Sequence, residues 1–326
     1  MIISQTPYRV SLGGGGTDLP AFYQHEPGAV LSVTLSQHMY VTVSPRFDRT
    51  IRVSYTRTDI ADGIDAVAHT IVREALRRTD LSQHIEITTI GDVPAGTGMG
   101  SSSSLAVGVL NALYAYRGEV ISARKLAEQA CEIEIDVLGK PIGKQDQYAA
   151  AFGGLNYIEF NADGSVDIEP VPCRPETLRQ LEERVLMFYT GAQRDADSIL
   201  QKQTEGTAER MPTLCKMRDL AGEMRQVISG EGDLDHLAEL LHEGWLLKRS
   251  LGFGISDEQC DAWYEAARKA GAQGGKLLGA GGGGFLMLVA PADRHDAIRE
   301  ALDHPRELEF AVDRLGSRII FISDRY

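Results

Sequence analysis

The chain has 326 residues, of which 43% are hydrophobic and 24% are charged, and its formal net charge is -13. This length predicts one large or two medium domains, and the composition is that of an ordinary globular protein. The acidic balance, with Lys and Arg scattered, argues against nucleic acid as the main partner, although a local cluster of backbone N–H groups can bind an anion on an acidic protein.

The sequence predicts neither export nor membrane insertion. The N-terminus MIISQTPYRV has neither a basic start nor a long apolar core, so we expect no signal peptide. No apolar run approaches the ~20 residues that span a bilayer, so we expect no membrane partner. The four cysteines lie far apart and form no Cys-x-x-Cys pair, which favours reduced thiols and a cytoplasmic protein.

Residues 1–60 predict β-strands, because the stretches YRVSL, AVLSVTL, MYVTVSP and IRVSY are β-branched and alternate. Between the first two lies the loop GGGGTDLP (13–20). A loop with so few side chains lets a ligand lie on the backbone, and Asp18 could then accept hydrogen bonds from sugar hydroxyls. A tight turn in which Asp18 caps the next segment is an equal alternative. Residues 65–79 predict a helix and residues 84–92 a strand.

The most informative stretch is PAGTGMGSSSS (94–104), which we call the phosphate loop. Three glycines within five positions and four serines precede a helical apolar pattern that runs from Leu105 to Tyr116. A strand, a Gly/Ser loop and a helix in this order bring bare N–H groups and a helix N-terminus to one point, which attracts phosphate. The hydroxyls could cap the helix, bind phosphate or ligate Mg²⁺. A flexible linker is the alternative, and the helical pattern directly after the serines disfavours it.

Two common nucleotide motifs are excluded. A Walker A loop requires a lysine, and no Lys or Arg occurs between Asp92 and Arg117. The three loop glycines mimic part of a dinucleotide fingerprint, but the serine run is foreign to such loops.

The segment CEIEIDVLGKPIGKQDQ (131–147) is rich in carboxylates. We expect Glu132, Glu134 and Asp136 near the end of a helix, and Asp146 in a loop beside Lys144, which would keep it ionised and oriented. Phosphoryl transfer needs one carboxylate for the metal and another to take the hydroxyl proton. For each glutamate alone, a solvated helix face is the alternative.

The remaining elements follow in order. A helix is predicted from Ser122 to about Leu138, then a loop over 139–147, a short turn AAAFGG, and a hairpin of LNYIEF and SVDIEP. PVPCRP predicts a boundary near 170–180. Beyond it the patterns predict an α+β arrangement: a strand at 184–190, helices near 194–204, 213–229, 234–249 and 256–270, an apolar strand after a glycine turn, a helix near 292–302, and the strands LEFAV and RIIFIS. The four glycines within LLGAGGGGF (277–285) imply that a ligand or another backbone approaches closely.

Together these segments resemble the GHMP kinases, the family of galactokinase, homoserine kinase, mevalonate kinase and phosphomevalonate kinase. Arg9 to Asp18 is similar to the N-terminal motif of the family and Leu278 to Phe285 to its C-terminal glycine motif. The phosphate loop is similar to the central motif, with Met99 for a leucine and Ser103-Ser104 for two alanines. The resemblance implies an α+β fold of two domains. Residues 1–175 would resemble ribosomal protein S5 domain 2, and residues 176–326 would be ferredoxin-like.

The resemblance also implies ATP and Mg²⁺ as cofactors and a role for individual residues. Asp146 falls at the catalytic aspartate, with Arg9 helping to hold that site. The metal would lie on Glu134 and on Ser101 or Ser102. The expected ATP-binding residues are Pro94, Gly96, Gly98, Met99, Gly100, Ser101, Ser102 and Ser103. The expected substrate-binding residues are Gly15, Gly16, Thr17, Asp18, Lys144, Asp146, Lys248, Gly282 and Gly283.

Within the family, GGGGTDLP, GKQDQYAAAFGG and LLGAGGGGFL are most similar to the D-glycero-D-manno-heptose 7-phosphate kinases. This implies phosphorylation of the sugar C1 hydroxyl to the 1,7-bisphosphate, in GDP-heptose synthesis for capsules and surface polysaccharides. A sugar phosphate substrate needs cationic partners, for which we consider Lys144 and Lys248, and after them Arg249 or Lys202. A snorkelling surface lysine is the alternative for Lys248.

Three other functions stay open. The chain could be another sugar-1-kinase, for L-fucose, galactose or a free heptose, although Gly16-Thr17-Asp18 lacks the Glu-His pair of galactokinases. It could be a non-catalytic sensor that binds ATP and sugar, which the presence of Glu134 and Asp146 disfavours. It could be an isoprenoid-pathway enzyme of the same fold, which Asp18 disfavours. A small-molecule sugar phosphate is the expected partner, and both a monomer and a homodimer are compatible with the sequence.

Overall fold

Two long strands dominate the first half of the computed structural model, which describes residues 1–191, 196–230, 232–252 and 254–323. They pair antiparallel at the centre of a mixed sheet with the order β12-β1-β2-β5-β3-β4, to which β6 and β7 are added along β2. The strands of this first sheet are β1 (Ile2–Gly13), β2 (Gly28–Pro45), β3 (Ile51–Ser54), β4 (Thr58–Ala61), β5 (Ile85–Gly91), β6 (Leu155–Phe160), β7 (Val166–Pro170) and β12 (Arg318–Ile322).

The stretches AVLSVTL and MYVTVSP, predicted as separate strands, are both part of β2. Their junction stays extended because other segments bind it: Ser36 N–H donates to the Ala311 carbonyl and His38 N–H to Asp92. The register between β1 and β2 shifts at this point, between Pro7 and Arg9. This irregularity brings Arg9 next to the phosphate loop.

One face of the first sheet is covered by helices. α3 is apolar around most of its circumference and is accordingly buried. The helices before the second sheet are α1 (Pro20–Tyr23), α2 (Thr70–Arg78), α3 (Ser101–Tyr116), α4 (Ala123–Cys131), α5 (Gln145–Phe152) and α6 (Pro175–Arg184), with a π-helix at Glu132–Val137 and a 3₁₀ turn at Ile64–Ala66.

Several predicted bounds need correction here. The helix expected over 65–79 divides into the 3₁₀ turn and α2, and the helix expected up to Leu138 changes to π geometry at Glu132. The end of the predicted loop 139–147 and the predicted turn AAAFGG together form α5, whose alanines pack in the core. α6 was not predicted, because PVPCRP masked the helix that begins at its last proline.

The second half forms an antiparallel sheet with the order β11-β8-β10-β9. Its strands are β8 (Val185–Tyr189), β9 (Gly274–Leu277), β10 (Phe285–Val289) and β11 (Glu307–Leu308), and its helices are α7 (Ala196–Glu205), α8 (Thr207–Ser229), α9 (Leu234–Ser250), α10 (Glu258–Ala270) and α11 (His295–Ala301), with a 3₁₀ turn at Ala292–Arg294. The first residues of the helix predicted over 194–204 lie outside the described residues. The predicted strand LEFAV is reduced to β11 and a single bridge at Val312.

Helices of the second half also pack on the first sheet. Leu220 and Met224 of α8 and Leu241 of α9 share a hydrophobic cluster with Val10 and Leu31 of the central strands. The predicted strand RIIFIS is confirmed as β12, which pairs with β1. Beside these contacts lies a cleft that residues of both halves line, among them Arg9 and Asp18 of the first half and Lys248 and Lys276 of the second. In the described part of the chain, no helix is both long enough and apolar enough to cross a membrane.

Candidate active site

The phosphate loop lies between β5 and α3. Gly96, Gly98 and Gly100 adopt φ angles of 75°, 80° and 74°, which glycine takes without the strain that a Cβ would bring. Directly after them α3 begins at Ser101, so its free N–H groups and the positive end of its dipole lie at this loop. Pro94 and Gly96 are exposed. The loop can therefore receive phosphate oxygens on its backbone.

Packing from behind holds this loop in place. Met99, predicted to bind ATP, is buried in the core, so that only its backbone can face a nucleotide. Its carbonyl accepts a hydrogen bond of 3.2 Å from the Arg9 N–H. On the other side, a Cβ on Gly284 would lie 2.4 Å from the Thr97 carbonyl oxygen. The close approach expected at the glycine tract is thus, at this position, one of backbone to backbone.

Arg9 and Asp146 form a two-pronged ion pair beside the loop. Arg9 Nε and Nη2 donate to the two carboxylate oxygens of Asp146, each at 2.7 Å, and Nη1 donates to the Gly98 carbonyl at 2.6 Å. Such a fork-to-fork pair fixes the direction of the carboxylate. Asp146 lies in the first turn of α5 and not in a loop, and the cation beside it is Arg9 and not Lys144.

Asp18 lies in the same cleft, deep in the glycine loop. Its carboxylate accepts hydrogen bonds from the Gly16 N–H at 3.1 Å and from Gln145 Nε2 at 2.9 Å. Burial, together with the negative charge of Asp146, raises the pKa of Asp18. Gly15 and Gly16 line the cleft with Asp18, whereas the Thr17 hydroxyl donates within the loop to the Gly14 and Ala29 carbonyls.

Glu134 is fully buried, and its carboxylate accepts hydrogen bonds from four side chains. Ser102 Oγ donates to Oε1 and Ser103 Oγ to Oε2, the latter at 2.7 Å, and Gln147 Nε2 also donates to Oε2, at 2.8 Å. Lys140 Nζ donates to Oε1 at 2.9 Å. Carboxylate and hydroxyl oxygens at one helix N-terminus are the hard ligands that Mg²⁺ uses together with water and substrate phosphates. The residues therefore fit the metal, with Glu134 and Ser102 as its candidate ligands.

Two adjacent residues of α5 connect the side chains around Glu134 with the cleft that contains Arg9 and Asp18. Asp146 faces Arg9, while Gln147 faces Glu134. A Cβ on Gly100 would lie 3.0 Å from Asp146 Oδ2, which places the phosphate loop directly against the carboxylate. A phosphate on this loop would thus be close to Asp146 and to the Glu134 cluster.

Two buried lysines complete the cleft. Lys248 Nζ donates to the Gly279 carbonyl, and Lys276 Nζ donates to the Ser11 carbonyl at 2.7 Å. Among the described residues, neither ammonium is within ion-pair distance of a carboxylate. Burial, and then the charge of Arg9, lowers the pKa of Lys248 to about 8. Burial, followed by the charges of Lys248 and Arg9, lowers the pKa of Lys276 well below its ordinary value. An anion in the cleft would offset these costs.

Several predicted substrate residues lie elsewhere. Lys144 Nζ donates to the Gly164 carbonyl at 2.6 Å and lies over the Tyr23 ring, outside the cleft. Gly282 and Gly283 are buried behind the phosphate loop and do not line the cleft. Of the further cations considered, Arg249 pairs with Asp261 and Lys202 is exposed outside the cleft.

Four site residues were missed by sequence reasoning: Lys140, Gln145, Gln147 and Lys276. The lysine in GGKLLG offered a signal, because a lone charge inside an apolar strand must be satisfied in the interior. The glutamines belong to Gln-Asp-Gln around Asp146, and the period of α5 was not recognised. Lys140 carried no signal beyond its closeness to the carboxylates in sequence.

Comparison with known proteins supports these motifs. The family model described as GHMP kinases N terminal domain matches residues 66–154, and that described as GHMP kinases C terminal matches residues 221–306. The chain is 30% identical over 317 residues to D-glycero-alpha-D-manno-heptose 7-phosphate kinase of Campylobacter jejuni subsp. jejuni serotype O:2, which covers 91% of this chain and 92% of that protein. It is 26% identical over 339 residues to the galactokinase of Pyrococcus furiosus, with 92% of each chain covered.

A solved structure shows the same architecture. The crystal structure of a D-glycero-D-manno-heptose 1-phosphate kinase from Bacteroides thetaiotaomicron matches with a TM-score of 0.83 at 25% identity, over 99% of this chain and 100% of that one. The predicted α+β GHMP kinase fold is thereby confirmed. From its two family-model matches and a relative that is similar along nearly its whole length, the chain belongs to the GHMP kinase family and is a kinase.

Proposed function

We propose that this kinase transfers the γ-phosphoryl group of ATP to the anomeric C1 hydroxyl of D-glycero-D-manno-heptose 7-phosphate, giving the 1,7-bisphosphate. The main support for a phosphorylated substrate is the pair of buried lysines, Lys248 and Lys276. Neither has a carboxylate partner in the described part of the cleft. Buried charges are normally paired, so an anionic group of the substrate is the natural partner. The Campylobacter relative is named as a kinase of D-glycero-alpha-D-manno-heptose 7-phosphate, which supports the choice of sugar.

The chemistry is direct transfer between two oxygens. The bond from the sugar oxygen to γ-phosphorus forms as the bond from γ-phosphorus to the β-phosphate oxygen breaks, and Asp146 orients the hydroxyl and accepts its proton. Arg9 holds this carboxylate, and Asp18 is positioned to accept hydrogen bonds from other sugar hydroxyls. The backbone N–H groups of the phosphate loop and the α3 dipole stabilise negative charge on the phosphates.

Glu134 and Ser102 would hold Mg²⁺, and Ser101 is the second serine proposed as a ligand. When bound, the ion neutralises charge on the nucleotide phosphates. Ser103 and Gln147 orient Glu134 by hydrogen bonds to its other oxygen. In this arrangement no covalent enzyme intermediate is required.

A sugar-1-kinase for an unphosphorylated sugar is the second candidate, supported by the similarity to a galactokinase over 92% of the chain. The two buried lysines weigh against it, because a neutral sugar would give neither of them an anionic partner. A non-catalytic sensor is less favoured, since the Arg9–Asp146 pair and the Glu134 cluster are intact.

The test is ADP release with MgATP against a sugar panel. It contains D-glycero-D-manno-heptose 7-phosphate, the free heptose, mannose, galactose and L-fucose. We expect strong preference for the phosphorylated heptose, and phosphorus NMR should place the new phosphate at C1. Turnover of a free sugar with equal efficiency would overturn the substrate assignment. Nucleotide binding without turnover of any sugar would favour the sensor.

A further inference from the structure

Lys140 donates hydrogen bonds to the oxygen atoms that would bind the metal. Its ammonium donates to Ser102 Oγ at 2.6 Å and to Glu134 Oε1 at 2.9 Å, and Ser102 itself donates to the same Oε1. Ser102 and Glu134 are the two candidate ligands described above. A divalent cation and the Lys140 ammonium therefore compete for the same oxygen atoms.

The burial of Glu134 explains why a cation is needed there. Its side chain is 0% exposed, and its other hydrogen-bond donors, Ser102, Ser103 and Gln147, are all neutral. In the described part of the chain, Lys140 is the only basic group within ion-pair distance. A carboxylate that is buried without a positive partner strongly destabilises the folded state, so loss of the Lys140 charge should weaken the metal-free protein.

Lys140 differs in its position from the other partners of Glu134. It lies in the irregular segment between the π-helix and α5, and its side chain is 23% exposed. Ser102 and Ser103 belong to α3 and Gln147 belongs to α5. The carboxylate is thus held by donors on two helices, whereas the ammonium has a route to solvent.

We propose that Lys140 is an internal counter-ion that keeps the Glu134 carboxylate in place without metal and leaves it when Mg²⁺ binds. The proposal rests on the metal role of Glu134 within the proposed function, but not on which sugar is phosphorylated. It makes Lys140 a positioning residue whose charge sets the metal affinity.

The test compares K140M with K125M, a control that removes an exposed lysine on α4 that is paired with Glu128. Thermal unfolding is followed in EDTA and in Mg²⁺ without nucleotide, and Mn²⁺ binding is measured by EPR. We expect K140M to unfold at a lower temperature in EDTA and to gain more from Mg²⁺ than the wild type does, since ligands of the native state stabilise it. Its Kd for Mn²⁺ should fall on the order of tenfold, which corresponds to about 1.4 kcal/mol.

The double variant E134Q/K140M distinguishes an uncompensated charge from a general folding defect of K140M. Removing both charges should restore stability in EDTA, because no uncompensated carboxylate is left, while Mn²⁺ binding is lost. The proposal is overturned if K140M binds Mn²⁺ with wild-type affinity, or if its stability in EDTA matches that of K125M. It is also overturned if the wild type and K140M both fail to bind Mn²⁺. None of these results depends on the sugar panel, so failure here is distinguishable from failure of the substrate assignment.

Discussion

The Arg9 guanidinium and the Asp146 carboxylate are in contact through two hydrogen bonds, and this pair sets the direction in which Asp146 can act. An ion pair of this geometry holds the carboxylate in one orientation. In the proposed mechanism, Asp146 therefore orients the acceptor hydroxyl as well as accepting its proton. The same buried arginine also holds the phosphate loop, because its Nη1 donates to the Gly98 carbonyl.

Replacement of this carboxylate should affect the chemical step. We expect D146N to lower kcat by ~10²–10⁴, the usual contribution of a positioned acid or base. The affinity for ATP should be largely unchanged, because D146N keeps the size of the side chain and leaves the two hydrogen bonds from Arg9 to the Met99 and Gly98 carbonyls of the phosphate loop in place. Steady-state kinetics and nucleotide titration measure the two effects. D136N, which alters an exposed carboxylate of the same segment, is the control, and equal rates for both variants would remove Asp146 from the mechanism.

The pKa of Lys248, about 8, predicts a dependence on pH that is specific to the substrate. Its ammonium is charged below this value and loses its proton above it. We expect kcat/KM for the phosphorylated sugar to fall as the pH rises through about 8 in the free enzyme, and kcat/KM for a free sugar to show no such fall. In K248M the profile should be low and flat for the phosphorylated sugar. The same decline for both sugars would argue that Lys248 does not contact the phosphate.

At the scale of elements, the site is assembled from the ends of β1 and β5 and from the starts of α3 and α5. The phosphate loop was predictable because the pattern of strand, glycines, serines and helix is local. Asp18, Glu134 and Asp146 could be proposed as candidate functional residues because each lies in a local motif. Their partners were not, because Arg9 and Asp146 are 137 residues apart, and only the fold brings them into contact.

Lys144 illustrates how sequence proximity can mislead. It is two residues from Asp146, but the two side chains point in different directions. Asp146 contacts Arg9, whereas Lys144 reaches the turn between β6 and β7. The helical period of α5 sets these directions, and it was hidden by the alanines and glycines that follow. Lys276 takes the place in the cleft that was expected for Lys144.

The glycine tract acts as a backing element for the phosphate loop, which predicts an effect of G284A on ATP. The φ of Gly284 is +102°, and an added Cβ would lie 2.4 Å from the Thr97 carbonyl oxygen, so the loop must shift. A misplacement of about 1 Å can cost ~10²-fold in rate. We expect kcat/KM for ATP to fall by ~10–100-fold.

A matched control separates this effect from backbone strain. G118A also places alanine at a positive φ, +77°, but no atom lies within 4 Å of the new Cβ. It should lose stability and keep wild-type kinetics with ATP. If the ATP kinetics of G284A equal those of G118A, the glycine tract does not position the loop.

At the scale of the whole molecule, the two sheets are connected by more than the hydrophobic cluster around α8 and α9. After β11 of the second sheet, the chain returns to the first sheet, where the Asp313 N–H donates to the Thr34 carbonyl at 3.0 Å. The Asp313 carboxylate accepts hydrogen bonds from His38 Nε2 at 2.6 Å and from Arg318 at 2.8 Å. A residue from the end of the chain therefore fixes the irregular part of β2 that lies beside Arg9.

This junction predicts a stability that depends on pH. Burial alone would raise the pKa of Asp313, but the hydrogen bonds from His38, the Leu315 N–H and Arg318 outweigh it and hold the pKa below its usual value. A carboxylate whose pKa is lowered by folding stabilises the native state above its unfolded pKa of about 3.9, and this stability is lost as the pH falls through the folded value.

We expect D313N to be less stable at pH 7 by about 1.5–3 kcal/mol, the contribution of a hydrogen bond to a charged group. The difference should narrow as the pH falls below about 4, because the wild-type carboxyl is then protonated as well. Urea unfolding across this range measures it, with D62N, an exposed carboxylate at the end of β4, as control. A difference that does not change with pH would mean that Asp313 contributes through shape and not through its charge.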